Sequence, residues 1–123
     1  MRGGTLIVDA RVTETRRPHV WEADFAQRVR AFLAGHDHDG WEPRHAVAGR
    51  FDAAVRDALA SSHGAPVVVF SHGQALTLWL RSVGAVQDPA GFWSELRLPD
   101  AWTITLKRAQ GALVAAGPPA RIA

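Results

Sequence analysis

The sequence predicts one α/β domain spanning residues 1–123, with helices packed on a mixed, mostly parallel sheet. Two observations predict it. Apolar runs rich in β-branched residues alternate along the chain with amphipathic segments of helical spacing. Hydrophobic residues make up 47% of the chain and charged residues 21%, which is the balance of a globular protein with a core. We find no internal repeat and no linker that would divide the chain.

The first half of the chain predicts a strand, a helix, a loop and a second helix. Residues 4–9 form a short apolar run and predict a strand. Apolar residues recur at helical spacing over 21–33, and Gly35 is expected to end that helix. The polar segment 36–43 contains Gly and Pro and predicts a loop. Apolar residues four apart over 47–59 then predict the second helix.

The second half begins with residues 66–70, which are apolar on both faces and predict a central strand covered by helices. The tail from Gly117 to Pro119 is expected to leave the fold. Between them the pattern predicts a helix over 74–83, a short helix over 88–96, and a hairpin with strands 102–106 and 112–116 around Gln110-Gly111.

Ser71-His72-Gly73 lies between the predicted central strand and the helix after it. Ligands of open α/β sheets bind beyond the carboxyl ends of central strands. The free N–H groups of the helix that begins at Gln74 favour an anion, and Gly73 permits a close approach to the backbone. His72 adds a donor that can carry charge near neutral pH. These features predict a site for phosphate or a similar oxyanion; the alternative is a histidine that only caps the helix.

The charge pattern argues against a nucleic-acid partner. The net charge is only +2, and the pI near 10.4 arises because the chain has no Tyr or Cys and one lysine, Lys107. The arginines are scattered and form no basic stripe. No run approaches the roughly 18 apolar residues of a membrane span, and the N-terminus lacks a secretory pattern. We therefore expect no membrane association and a cytoplasmic location.

Residues 67–73, Val-Val-Val-Phe-Ser-His-Gly, resemble the second histidine motif of the histidine phosphatase superfamily, also called the phosphoglycerate mutase-like family. Residues 9–14 are similar to the family segment that carries an acidic proton donor after a strand. The resemblance runs from about Leu6 to about Ala116. Weaker matches follow the family order at Trp21-Glu22, at Arg50 and over residues 92–102.

The resemblance implies a two-step phosphoryl transfer that needs neither metal nor another cofactor. In this family, a histidine of an Arg-His-Gly motif becomes phosphohistidine, a second histidine and arginines hold the phosphate, and a Glu or Asp protonates the leaving oxygen. Carried over by position, the catalytic residues are His72, as the second histidine, and Glu14, as the proton donor. Phosphate would contact His72, Gly73 and Gln74. The implied function is a phosphomonoesterase or a mutase acting on a phosphorylated small molecule.

No Arg-His-Gly motif occurs in the chain. Because the resemblance starts at about the family's third strand, we expect an N-terminally truncated domain that is inactive alone. The nearest string, Arg44-His45-Ala46, follows a polar turn, and His19 has no strand to position it. Three explanations stay open: a fragment or misplaced gene start, a non-catalytic relative that binds a phosphorylated ligand, or completion by another polypeptide. An open sheet edge would favour pairing, so we expect a homodimer or a rearranged sheet if the chain is stable alone.

A second class of function is suggested by His36-Asp37-His38-Asp39, where two histidines alternate with carboxylates as in metal-binding loops. Metallo-hydrolases of this type need a further histidine after the second acid, and Gly40 and Trp41 stand there instead. The alternative interpretation is an ordinary polar loop.

Three tryptophans and Glu14 carry further expectations. Trp21 and Trp79 occupy core-like periodic positions and are expected to pack in the core. Trp41, in the polar loop, is the tryptophan that we expect near a ligand. Without the resemblance, Glu14 would be interpreted as a surface carboxylate paired with Arg16 or Arg17.

Overall fold

The fold, as given by a computed structural model that describes residues 6–122, is mixed α/β. Four α-helices, one 3-10 turn and two small antiparallel sheets occur within this range. The elements in chain order are the 3-10 turn Ala10–Val12, α1 Phe25–Ala34, α2 Arg44–Ser61, α3 Gly73–Ser82, α4 Pro89–Ser94, β1 Trp102–Thr103, β2 Leu106–Ala109, β3 Ala112–Ala115 and β4 Ala120–Arg121.

The four helices confirm the helical spacing read from the sequence, with shifted ends. α1 begins at Phe25 and ends at Gly35, whose φ of 126° suits a residue without a side chain. α2 begins at Arg44, directly after Pro43. α4 is shorter than predicted, and the Asp88 carboxylate caps it by accepting a hydrogen bond from the Gly91 N–H at 3.1 Å.

The core lies between α1, α2 and α3, with the C-terminal hairpin at its edge. Side chains from the three helices interdigitate and exclude water, which is the main source of stability in a domain of this size. The largest fully buried side chains are those of Phe32, Phe51, Leu80, Val29, Val47 and Thr77. No helix in the described part of the chain is both long and apolar enough to cross a membrane.

The structure places two of the three tryptophans with predicted roles differently from the prediction. Trp79 is confirmed in the core, where its ring stacks on Phe51 at 5.2 Å and its indole N–H donates to Asp52 at 3.0 Å. The core role predicted for Trp21 is wrong, because its side chain precedes α1 and is 86% exposed. Trp41, which we expected near a ligand, is only 9% exposed and lies 5.1 Å from the Phe32 ring. It belongs to the core cluster.

The predicted parallel sheet is wrong for the described residues. Residues 66–70 and 6–9 form no strand, and residues 4 and 5 of the first predicted strand lie outside the described range. A central strand needs neighbours on both sides. The strand pairings in residues 6–122 are β1 with β4 and β2 with β3, both antiparallel, so neither segment has a neighbour. Val68 and Phe70 are consequently 70% and 80% exposed instead of buried.

The C-terminal hairpin is confirmed with a different first strand. β2 and β3 pair antiparallel around Gln110 and Gly111, whose φ values of 53° and 80° are typical of a two-residue hairpin turn. Residues 102–103, predicted in the same strand, instead pair with β4, so the expectation that the tail leaves the fold is wrong. Next to this pairing, Arg121 Nη2 lies 3.1 Å from Asp100 Oδ2 in an ion pair. Hydrogen bonds to the Asp100 carboxylate, chiefly from Arg121, lower its pKa to about 2.

Candidate functional site

A carboxylate occupies the N-terminus of α3. Glu14 Oε2 accepts a hydrogen bond from the Gln74 N–H at 3.1 Å, and Oε1 accepts one from the Ala75 N–H at 2.8 Å. Its own neighbour, the Thr15 N–H, donates to Oε1 at 3.0 Å. The N-cap residue of α3, His72, makes no side-chain capping bond. Glu14 therefore caps the helix from a remote part of the chain and supplies the negative charge that a helix N-terminus favours.

Two side chains fix the main chain that carries Glu14. The Arg50 guanidinium, in α2, donates to three carbonyl groups of the 11–14 segment at 2.8, 2.7 and 3.0 Å. Ser71 Oγ, just before α3, donates to the Val12 carbonyl at 2.7 Å. The segment is thus tied both to α2 and to the residues that precede α3, which brings the carboxylate and the helix terminus together.

Arg50 is itself held by a largely buried ion pair with Glu42. Its Nε and Nη2 atoms each lie 2.9 Å from a Glu42 carboxylate oxygen, and the two side chains are 12% and 10% exposed. The Arg50 hydrogen bonds lower the pKa of Glu42 below its ordinary 4.5. The guanidinium thus joins Glu42 to the 11–14 carbonyl groups, and Arg50 positions the backbone around Glu14.

His72 and Gly73 lie at the start of α3, as predicted. The His72 side chain is exposed, and its carbonyl accepts the Leu76 N–H at 3.0 Å. A Cβ placed on Gly73 would lie 3.2 Å from both Cδ1 and Nε1 of Trp93. The space next to Gly73, which we expected a ligand to use, is thus occupied by the edge of the Trp93 indole ring.

Gln74 contributes to this region through its backbone. Its N–H group is one of the two α3 donors that bind Glu14. Its side chain is 3% exposed, and Oε1 has no hydrogen-bond partner among residues 6–122. Thr15, next to Glu14, is 4% exposed, and its Oγ1 also lacks a partner within that range. The N–H groups of Thr15 and Gln74 both donate to Glu14, so the two residues with unpartnered buried polar atoms each bind this carboxylate.

The metal-binding interpretation of the His36–Asp39 loop has no support in the geometry. His38 Nε2 is hydrogen-bonded to the Arg28 carbonyl at 2.9 Å, and its ring packs edge-on against Trp41 at 4.9 Å. Asp37 accepts the Arg44 Nε–H at 2.9 Å. No group of three or more potential ligands (His, Cys, Asp or Glu) gathers anywhere in residues 6–122. Asp37 and His38, two of the four candidate ligands, are therefore bound to protein partners.

His19 and His45 are the two other histidines weighed as nucleophiles. His19 is exposed in the irregular segment before α1. His45 is exposed in the first turn of α2 and lines a cleft with Arg44 and Arg81. Arg81 belongs to the last turn of α3, whereas Glu14 binds the first turn. His45 therefore lies near the end of α3 opposite to the one that Glu14 binds.

Fold and site together define a mixed α/β domain in which an acidic side chain meets the helix terminus that follows a Ser-His-Gly segment. A model of the histidine phosphatase superfamily (branch 1) matches residues 8–116. The chain belongs to that superfamily. A search of curated proteins found no significant match, and a search of solved structures found none either.

Sequence reasoning missed three contributors to this region. Trp93 fills the space above Gly73, Ser71 holds the Val12 carbonyl, and Arg50 positions the Glu14 backbone. The sequence signal for Arg50 was its place in the family order, which indicated an arginine but gave it no role. Nothing in the spacing of the sequence indicates the contact between Trp93 and Gly73, because it joins two helices across a turn.

Proposed function

We propose that this domain binds the phosphate group of a phosphorylated small molecule at the N-terminus of α3. The His72 imidazole and the N–H groups of Gly73 and Gln74 would contact the phosphate oxygens. Glu14 would face the ester oxygen. The proposal takes the superfamily membership as its frame and adds these residues to it.

The observation that carries the proposal is the Glu14 carboxylate on the α3 N–H groups. A carboxylate and a phosphate present similar oxyanions to backbone donors, and helix N-termini bind both. The exposed His72 side chain at the N-cap position is available to add a charge-assisted hydrogen bond. Phosphate binding at these donors would require the Glu14 carboxylate to leave them.

Hydrolysis would need one more group. A nucleophilic histidine would attack phosphorus, the ester oxygen would leave with a proton from Glu14, and water would then cleave the phosphohistidine. The printed sequence has no Arg-His-Gly motif to supply that histidine. We therefore propose a phosphate-binding half-site, with phosphomonoesterase or mutase activity only where another segment or chain supplies the nucleophile.

The test is a titration of the isotope-labelled chain with inorganic phosphate, followed by amide chemical shifts. We expect shifts at residues 72–75, and a binding constant about tenfold weaker in His72→Ala because a charge-assisted hydrogen bond is lost. Glu14→Ala should bind phosphate more tightly than the parent, since the competing carboxylate is gone. Phosphate that leaves residues 72–75 unshifted would overturn the proposal.

A parallel assay with a generic phosphomonoester separates binding from catalysis. We expect no turnover by the 123-residue chain. Turnover that disappears in His72→Ala would mean that the nucleophile lies within the chain, and His45→Ala and His19→Ala would then identify it.

We also propose that the chain forms a homodimer through residues 6–8 and 66–70. Leu6, Ile7 and Val8 are 83%, 73% and 94% exposed, so both segments present apolar side chains to solvent. No backbone hydrogen bond within residues 6–122 involves either segment. A segment with exposed apolar side chains and unpaired backbone donors and acceptors is a template for strand addition. Sedimentation at increasing concentration should show a dimer that Phe70→Glu disrupts; a parent chain that stays monomeric would contradict this.

A further inference from the structure

A second cleft lies at the opposite end of α3 from Glu14. Its volume is about 420 Å³, within the range of small-molecule sites. The last turn of α3 and the first turn of α2 form its walls. Because α3 rises about 1.5 Å per residue, the nine steps from Gly73 to Ser82 separate the two ends by roughly 13 Å. The cleft is therefore distinct from the proposed phosphate site.

The lining of the cleft combines an apolar floor with cationic side chains. Leu33 and Leu78 are 3% and 6% exposed and form part of the floor. Arg44, His45 and Arg81 supply the cations and donors. The Asp37 carboxylate, Ser82 and Gln87 also line the cleft, so it offers apolar surface to bury a ligand body and several polar groups to orient it.

Of the two arginines, Arg44 is neutralised by an ion pair, whereas Arg81 has no carboxylate partner among residues 6–122. Arg44 Nε donates to Asp37 at 2.9 Å, and this hydrogen bond is the main cause that lowers the pKa of the Asp37 carboxyl, with His45 contributing through its charge. Within residues 6–122, Arg81 has neither a carboxylate within 4.0 Å nor a side-chain hydrogen bond, and the same holds for His45. The net charge available to a ligand is thus about that of one guanidinium, with an imidazole beside it.

We propose that this cleft binds a small organic carboxylate, with the carboxylate on Arg81 and the hydrocarbon part on the leucine floor. A guanidinium presents paired donors that match the two oxygens of a carboxylate. A single uncompensated cation balances a monoanion better than the dianion of a phosphate ester. The apolar floor favours an anion that carries an aliphatic or aromatic body over an inorganic ion.

The experiment titrates the isotope-labelled 123-residue chain with benzoate and follows amide and arginine Nε–H signals. We expect shifts centred on His45, Arg81 and Ser82, with benzamide and inorganic phosphate each binding this cleft at least about tenfold more weakly. Arg81→Gln should weaken benzoate binding by about tenfold, and Arg81→Lys by less, because the charge stays while the paired donors are lost. Arg81 is exposed, so unchanged unfolding midpoints will show that both variants fold.

Two controls separate this cleft from other sites. Arg108→Gln changes an exposed arginine of β2 and should leave benzoate binding unchanged. His72→Ala should also leave it unchanged, so the phosphate proposal and this one can fail independently. The proposal is overturned if benzoate shifts no signal near Arg81, if Arg81→Gln binds as tightly as the parent, or if phosphate or benzamide binds as well as benzoate.

Discussion

Replacing Arg50 with methionine should destabilise the domain more than any other single change of an arginine that we would make. Methionine keeps most of the apolar stem of the side chain and removes the guanidinium. The change leaves the Glu42 carboxylate, 10% exposed, without its ion-pair partner. It also removes the donors to the three carbonyl groups in the 11–14 segment.

The magnitude follows from what is left unpaired. Breaking a buried ion pair from one side costs about 3–5 kcal/mol, most of it from the carboxylate that stays desolvated. The freed Thr13 carbonyl is exposed and can bond to water, and the carbonyl groups of Arg11 and Glu14 are part-buried, so the three add less than the carboxylate does. The free energy of unfolding of such domains is about 5–15 kcal/mol, so the loss would be a large fraction of the stability of the domain.

The assay is urea unfolding followed by tryptophan fluorescence, in which the midpoint should fall by roughly 2 M. Arg56→Met is the matched control, because Arg56 also lies in α2 and pairs with Asp52, but with side chains 36% and 24% exposed. It should cost no more than about 1 kcal/mol. The double variant with Glu42→Met should regain part of the loss. Equal effects of the two arginine variants, or a double variant no more stable than Arg50→Met, would refute the reasoning.

Two further predictions concern stability. Trp79→Ala should lower the free energy of unfolding by about 3–5 kcal/mol, because this side chain is 4% exposed, whereas Trp21→Ala should lower it by less than about 0.5 kcal/mol, because that side chain is 86% exposed. Urea unfolding followed by circular dichroism compares the two variants, and similar losses would contradict the assigned burial. Acid should lower the urea midpoint between about pH 5 and pH 2. The pKa values of Glu42 and Asp100 are lowered in the folded state, so their contribution is complete above the unfolded values and disappears as pH falls through the folded ones. A midpoint that stays constant or rises over that range would show that these carboxylates do not stabilise the fold.

The helices could be predicted from the sequence because their signal is local. Apolar residues three and four apart mark one face of a helix wherever that helix packs, and α1, α2 and α3 follow this rule. The central strand could not be predicted reliably from the apolar run 66–70, because a strand exists only when another strand pairs with it. Trp21 was misassigned for a related reason, since helical spacing does not reveal that the helix starts after it, at Phe25.

The sequence predicted that Glu14 and the start of α3 lie in one region, but it did not predict the contacts between them. Family order placed Glu14 and His72 in one region, and the structure brings Glu14 to the helix that follows His72. That the carboxylate binds the helix N–H groups could not be read from the chain, because the two are 60 residues apart. The Arg50–Glu42 pair was also hidden, since each charge alone is typical of a solvated surface.

Glu14 on the α3 terminus also affects how ligands of this domain should be sought. The apparent dissociation constant of a phosphate ligand is its intrinsic constant divided by the fraction of molecules in which the carboxylate has left. If that fraction is about one in a hundred, ligand at 100 times the intrinsic constant raises the free energy of unfolding by only about 0.4 kcal/mol, instead of about 2.7 kcal/mol. A thermal-shift screen on the parent chain would then pass over true ligands. The same screen on Glu14→Ala would detect them at lower concentration.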